Sequence, residues 1–397
     1  LSGRLIDQES RYGAPNDPPL EAIFTRADGV YLWDLDGNRY LDFLSAQATV
    51  NQGHNHTRIA AAMVEQCLRL CLTSRDCRND RLPPLLEKLC SLTGFDRALL
   101  LSSGSEAVDA ALKAARRWGQ EVKGIRPGRA EVLAFNGNYH GHTTSLLGCG
   151  DGPGQAGFGP FAPGFRVLPY GDLAALDAAM GPGTCAVLVE PVQGEAGVVL
   201  PPRGFLRGLR ELCDRHRVLL IADEVQSGMG RTGRLLAFEH EGIRPDGAAV
   251  GKALSGGFYP VSAFLASEEL MAMVSPGDQG GTFGGNPLAC AVASAALDVL
   301  VEERLIDHAA ELGAYLQERL RSLDSPRIRG VRGLGLWAGI ELQAAPGEAR
   351  ELCAALRREG LLCRETHGRT LHLAPPLVIT REQLDWGLGR LSAVLAG

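Results

Sequence analysis

Three short stretches of the sequence carry side chains whose types and spacing could do chemistry together. In AAVGKALSGGFYP, Lys252 follows a short apolar run and precedes a Gly-rich turn. A lysine shielded there loses basicity and offers the neutral amine that a Schiff base requires; a solvated loop lysine is the plainer reading. Only four lysines occur, Lys88, Lys113, Lys123 and Lys252. Two of the others fall in amphipathic helical patterns, and Lys123 follows a helix end. In VLLIADE, Asp223 closes an apolar run. A carboxylate at such a strand end is where open α/β sheets place ligand contacts. Paired with a pyridinium nitrogen, it would make the ring an electron sink. A helix cap, a structural ion pair or, with Glu224, a metal site would use the same letters. Third, Ser103-Gly104-Ser105 precedes EAVDAALKAARRW. Backbone N–H groups at a helix N-terminus form a phosphate site, and an ordinary N-cap fits equally. A phosphate cradle, a pyridine-nitrogen partner and a Schiff-base lysine together are far more specific than any one alone.

The elements that must position these groups follow from the pattern. GVYLWDLDGNRYLDF (29–43) alternates apolar and polar residues on both sides of Asp36-Gly37 and predicts a hairpin. EVLAFN (131–136), AVLVEP (186–191) and VLLIADE (218–224) are short apolar runs with polar ends, the mark of buried parallel strands. GFLRGLRELCDRH (204–216) supplies a crossover helix. This β-then-α order predicts an α/β domain with helices on both sheet faces. Residues 149–164 are rich in Gly and Pro and read as a long surface loop. After Asn286-Pro287 the texture changes. We therefore expect residues 51–286 as a large domain and 287–397 as a smaller C-terminal one, joined by an N-terminal segment 1–50.

Composition sets the outer bounds. The chain has 397 residues, 45 % hydrophobic and 22 % charged, with a net charge of −6. That balance suits a globular protein and gives no footprint for nucleic acid or an anionic membrane. No apolar run approaches the roughly 20 residues that span a bilayer. LSGRLIDQES lacks a signal pattern, so a cytoplasmic location is expected. The ten cysteines are scattered; a disulfide framework is not expected, and Cys67, Cys71 and Cys77 read as core filler and not as a metal site.

The sequence resembles the class III aminotransferases, and most of all their ornithine aminotransferase branch, over nearly its whole length. The resemblance rests on NQGH (51–54), SGSEAVDAALKAARRWG (103–119), GFGPFAPGF (157–165), VEPVQGEAGV (189–198), LLIADEVQSGMGRTG (219–233), GKALSGGFYPVSA (251–263) and TFGGNPLA (282–289). It implies a pyridoxal-phosphate-dependent transferase of fold type I: a large, mainly parallel sheet domain and a small α+β domain. It further implies pyridoxal 5'-phosphate as cofactor, held by Lys252 as a Schiff base and shuttling base. Asp223 would meet the pyridine nitrogen, Gln226 the ring hydroxyl, and Ser103, Gly104 and Ser105 the phosphate. Tyr139 would stack on the ring, with Glu190 behind it. Thr282 would complete the phosphate site of a partner subunit in a homodimer, and Glu195 would be the gate carboxylate.

The pattern breaks at the substrate. Where the branch carries arginines for substrate carboxylates, this chain has His142 and His372; where it carries two tyrosines, it has Asp17 and Gln47. A guanidinium binds a carboxylate with two parallel hydrogen bonds, whereas histidine offers one donor per direction. Two functional expectations follow. One is an aminotransferase of specialised metabolism, acting on an amino acid or amine with altered specificity. The other is non-transaminating chemistry on the same scaffold (elimination or replacement, C–C bond formation, or racemisation), with His142 and His372 acting on protons. Arg166, Arg364 or Arg369 could instead supply the missing charge from another position. His54-Asn55-His56 and His140-Gly141-His142, with Asp223 and Glu224, allow a metal-dependent hydrolase, a reading that leaves Lys252 and the motif order unexplained; a non-catalytic binding scaffold would leave Lys252 and Asp223 without purpose.

Overall fold

The short apolar runs of the middle of the chain assemble into one seven-stranded sheet. The computed structural model describes residues 2–396 except 16–19, 21, 75, 151–152, 344 and 346. Three strands precede the large sheet: β1 (Phe24–Asp28), β2 (Tyr31–Asp34) and β3 (Arg39–Asp42). The predicted hairpin is the antiparallel pair β2–β3. Its turn is organised by Asp34, whose Oδ1 accepts from the N–H of Asp36 at 3.0 Å and of Asn38 at 2.8 Å.

The large sheet contains β4 (Arg97–Leu101), β5 (Glu131–Phe135), β6 (Phe165–Leu168), β7 (Thr184–Val189), β8 (Leu219–Asp223), β9 (Gly247–Val250) and β10 (Ser262–Ala266). Their order is β4-β10-β9-β8-β7-β5-β6. β10 runs antiparallel to both its neighbours, and the other pairings are parallel. Every residue of β7, β8 and β9 is buried. That explains why these strands read as continuous apolar runs: helices cover both faces, so neither face needs polar side chains. Helix Phe205–His216 makes the expected crossover between β7 and β8, and helix Gly104–Glu121 packs across β7, β9 and β10.

Beyond it lie β11 (Ile328–Gly333), β12 (Ala338–Leu342), β13 (Leu361–Leu362), β14 (Arg364–Thr366) and β15 (Thr370–Leu373). Strand β13 pairs in parallel with β3, which ties the N-terminal hairpin to the C-terminal part of the chain. The remaining four form an antiparallel sheet in the order β11-β12-β15-β14. Asn286 caps helix Pro287–Glu302, which packs back on helices Thr57–Arg69 and Leu82–Thr93. Among the described residues no helix is long and apolar enough to cross a membrane.

Two features seat the small sheet against the large one. Ala48, Val192, Val198, Trp337 and Ala374 form a buried apolar cluster that joins four segments. Arg231, fully buried, donates through Nη1 to the carbonyls of Leu336 at 3.0 Å and Pro375 at 2.6 Å, and through Nη2 to Asn51. A buried guanidinium tied through both terminal nitrogens acts as a cross-brace, because removing its acceptors would leave it without partners in the interior.

Candidate active site

The C-terminal ends of the parallel strands converge on a cavity of about 190 Å³. It is lined by Gly104, Ser105, Tyr139, Glu190, Asp223, Gln226 and Lys252, with His140 completing one wall. Asp223 is the last residue of β8, Glu190 follows β7, and Lys252 follows β9 by two residues. Lys252 sits at φ 44°, a left-handed conformation that costs a non-glycine residue energy and is typical of functional positions.

Burial lowers the pKa of Lys252, a trend opposed by the nearby carboxylates of Glu195 and Asp223 and reinforced by the charge of Arg364. The amine is thereby moved toward the neutral form a nucleophile needs. Asp223 is held through both oxygens. Oδ1 accepts from the Val225 N–H at 3.1 Å, and Oδ2 pairs with His140 Nδ1 at 2.7 Å. Glu190 accepts from the Tyr139 N–H at 3.0 Å, and burial next to Asp223 pushes its carboxyl well above the usual range. The two carboxyl groups share one buried pocket, in which Glu190 tends to the neutral acid.

The phosphate end is a helix N-terminus. Ser103 is the N-cap: its hydroxyl accepts from the Glu106 N–H at 3.2 Å, and Glu106 returns a bond to the Ser103 N–H at 2.8 Å. Ser103 therefore spends its side chain on the capping box, while Gly104 and Ser105 face the cavity. A Cβ on Gly104 would stand 2.8 Å from Val225 Cγ1, and one on Gly141, at φ 123°, would stand 2.1 Å from Ser105 Oγ. Both glycines are thus required by close packing around the cradle. The donor set fits pyridoxal phosphate: an anion site at one end, a buried carboxylate for a ring nitrogen at the other, and an amine between.

The sequence-derived substrate positions scatter more. Gln47 stands on a turn in which Ser45, Ala46, Gln47 and Ala48 all have positive φ, from 46° to 63°. One left-handed residue costs roughly 1–2 kcal/mol, so four in a row need strong anchors. They have them: Asp42 Oδ1 accepts from the N–H groups of Leu44 and Ser45, and Ser45 Oγ donates to the Ala374 carbonyl at 2.5 Å. Gln226 Nε2 reaches Glu195 Oε1 at 3.2 Å and the Gln47 carbonyl at 3.5 Å. His142 is exposed, with its ring 5.1 Å from that of Tyr139. Asp17 lies outside the described residues. Thr282 is exposed and lines a different cavity of about 290 Å³, together with Ser74, Asn79 and Gly285.

His372 is not placed to exchange protons with a substrate. It is fully buried, and its Nε2 accepts from Trp337 Nε1 at 2.8 Å, which puts the ring proton on Nδ1. Burial, helped by the nearby Arg364 charge, lowers its pKa to about 3. The imidazole is a neutral packing piece. Opposite it on the neighbouring strand stands Arg364, which forms an ion pair with Glu195. Burial alone would raise Glu195, but Arg364 and Lys252 outweigh it and hold the carboxyl below its usual range. Of the other candidates, Arg166 on the edge strand β6 pairs with Glu131 at the start of β5, and Arg369 is exposed in a turn. The H-x-H pairs are directed elsewhere: His54 to Asp42 at 2.7 Å, His56 to Glu303, and His140 to Asp223. Among the described residues no three His, Cys, Asp or Glu side chains gather as metal ligands. Glu224 accepts from Ser227 Oγ and the Phe238 N–H, and burial raises it to about 7.

Comparison with known proteins agrees with this geometry. The family described as aminotransferase class-III matches residues 12–395. An ornithine aminotransferase of Bordetella pertussis is 54 % identical over 98 % of this chain and 94 % of its own length. Ornithine aminotransferase 2 of Staphylococcus aureus is 48 % identical over 99 % of both chains. Among solved structures, the ornithine aminotransferase of Toxoplasma gondii, crystallised with partial occupancy of pyridoxal phosphate, superposes with a TM-score of 0.97 at 40 % identity, covering 100 % of this chain and 94 % of that one. An acetylornithine aminotransferase from Elizabethkingia anophelis gives 0.91 at 44 % identity, covering 99 % and 98 %.

Proposed function

The chain belongs to the class III aminotransferase family and uses pyridoxal phosphate, and on that premise we propose that it transfers the terminal amino group of an ornithine-class diamino acid to a 2-oxo acid. The carrying observation is the convergence of Lys252, Asp223 and the Gly104–Ser105 cradle on one cavity. Pyridoxal phosphate, when bound, supplies an aldehyde for the incoming amine and a ring that takes up the electrons released when a substrate C–H proton leaves.

The residues have separate tasks in this reading. Lys252 would hold the cofactor and, as a free amine of lowered basicity, would take up the proton that leaves the substrate's reacting carbon. Asp223, locked by Val225 and His140, keeps the ring nitrogen protonated. Gln226 serves the ring hydroxyl, Tyr139 covers the ring face, and Gly104 and Ser105 grip the phosphate. Glu190, its carboxyl pushed up by burial, backs the ring. A homodimer in the cytoplasm is the proposed assembly; the exposed position of Thr282 on a second cavity supports the dimer.

Altered specificity, and with it a place in specialised metabolism, is supported by the substitutions at Gln47 and His142. The case for elimination, racemisation or C–C bond formation rested on the loss of both carboxylate-binding arginines; the Glu195–Arg364 pair speaks against the part of it that concerns position 372, and the part at His142 stands. The test is a spectroscopic half-reaction. Holoenzyme mixed with ornithine, 2,4-diaminobutyrate, lysine or glutamate should convert its cofactor to pyridoxamine phosphate with at least one of the diamino acids. Substituent loss or racemisation without pyridoxamine formation would sink the proposal.

A further inference from the structure

We infer that Arg364 is the residue that selects substrates carrying a carboxylate next to the reacting carbon, a role moved across a strand pair from position 372. The inference rests on the amino-transfer reading and names the specificity determinant of that same site.

The geometry begins with register. β14 and β15 are antiparallel, and Arg364 lies directly opposite His372. Opposed residues share a face of the sheet with Cβ atoms about 5 Å apart. An arginine side chain is longer than that gap, so a guanidinium rooted at 364 covers the space that one rooted at 372 would occupy. His372 offers no competing cation, because its Nε2 is taken by Trp337 and the ring is neutral.

The guanidinium is only partly used. Arg364 Nη2 meets Glu195 Oε2, while the buried Nε has no protein acceptor. Through Glu195 the guanidinium is linked to Gln226, which lines the cavity together with Lys252, and its charge helps to lower the basicity of that amine. Glu195 has somewhere else to rest, since its Oε1 already accepts from Gln226 Nε2 at 3.2 Å. An incoming α-carboxylate can therefore take the fork while Glu195 keeps a neutral partner. A terminal amine brings no carboxylate to that place, and the Glu195–Arg364 pair then stays closed and presents no net charge. One pair thus serves both kinds of substrate in turn.

The experiment compares half-reactions of holoenzyme by cofactor absorbance, using L-glutamate and 2-oxoglutarate for the α-carboxylate class and 5-aminopentanoate for terminal amines. Loss of a charge-assisted fork predicts that Arg364→Met lowers kcat/KM for glutamate relative to 5-aminopentanoate by on the order of 100-fold. Arg364→Lys, which keeps the charge without the fork, should lower the ratio by about tenfold. The double variant Arg364→Met/His372→Arg should recover most of the ratio, since it returns the guanidinium to the opposite strand. An unchanged ratio in cofactor-loaded Arg364→Met, or equal loss with both substrate classes, overturns the inference. If Arg364→Met does not fold, Arg364→Lys decides in the same way. Wild-type enzyme that fails to convert 5-aminopentanoate and ornithine alike would instead count against the amino-transfer reading.

Discussion

The cofactor wall and the substrate wall of this site are built by different means. Glu190, Asp223 and Lys252 stand at or just beyond the ends of three adjacent strands, β7, β8 and β9, whose backbones are hydrogen-bonded into one sheet. The substrate wall is assembled from the left-handed turn 45–48, the segment 190–198 and the β14–β15 hairpin, which meet through side chains. A group fixed by a sheet cannot move without moving the sheet. A group fixed by side-chain contacts can be handed to a neighbour, as the guanidinium is here, from position 372 to Arg364. Conservative chemistry and changeable specificity can thus share one cavity.

The hardest test of the cofactor wall is Lys252→Ala. If the wall works as a fixed frame around one amine, turnover should fall by at least about 10⁴-fold, the upper range for losing a positioned acid–base group. Phosphate binding through Gly104 and Ser105 should persist. Borohydride reduction followed by peptide mapping gives an independent readout. Cofactor should become attached to the peptide containing Lys252 in the wild type and to no peptide in the variant. Labelling at Lys88, Lys113 or Lys123 would break the comparison at its root.

On the substrate wall, His372 makes a prediction about stability. Its pKa is about 3 in the fold, against 6.5 for the free side chain. Between these values the unfolded chain binds a proton that the folded chain refuses, so stability rises with pH in that window and is lost as pH falls from 6.5 toward 3. The slope is about 1.4 kcal/mol per pH unit. From about pH 7.5 to pH 5, wild type should therefore lose about 2 kcal/mol more than His372→Gln, which keeps an acceptor for Trp337 and cannot titrate. Denaturant melts at the two pH values measure the difference. Parallel pH dependence in the two proteins would mean that the imidazole becomes charged within the fold, and the neutral-spacer account would fail.

This contrast also explains what could be read from the sequence. Apolar runs ending in Glu190, Asp223 and the Lys252 turn announced both the parallel sheet and the residues at its edge, because backbone periodicity and side-chain burial coincide there. Asp36-Gly37 announced the β2–β3 hairpin for the same reason. Three features were hidden. The left-handed turn 45–48 contains no glycine, and it depends on Asp42 and on a carbonyl at Ala374, more than three hundred residues away. His140 is one residue from Tyr139, but its bond to Asp223 exists only after β5 and β8 have taken their places. Arg364 was visible only as one arginine among several. Its signal was the spacing across THGRTLH, which folds 364 opposite 372, and that register needs the hairpin to be known first.

His140 offers the finest test, because it belongs to the cofactor wall yet is held by a side chain. Its Nδ1 lies 2.7 Å from Asp223 Oδ2, and the pair is almost completely buried. Val225 N–H holds only the other oxygen. His140→Ala leaves the carboxylate in place and removes one of its two restraints, so the loss is one of orientation, about 1.4 kcal/mol for a hydrogen bond. We expect kcat to fall by about tenfold, with the absorbance band of the bound cofactor shifted and its pH midpoint displaced, since both report how firmly the ring nitrogen keeps its proton. His140→Asn, which can still donate toward Asp223, should recover part of each effect. A kcat lowered tenfold with an unmoved band and midpoint would make His140 a packing residue. A loss as deep as that of Lys252→Ala would place it in the chemistry itself and erase the distinction between groups anchored by the sheet and groups anchored by their neighbours.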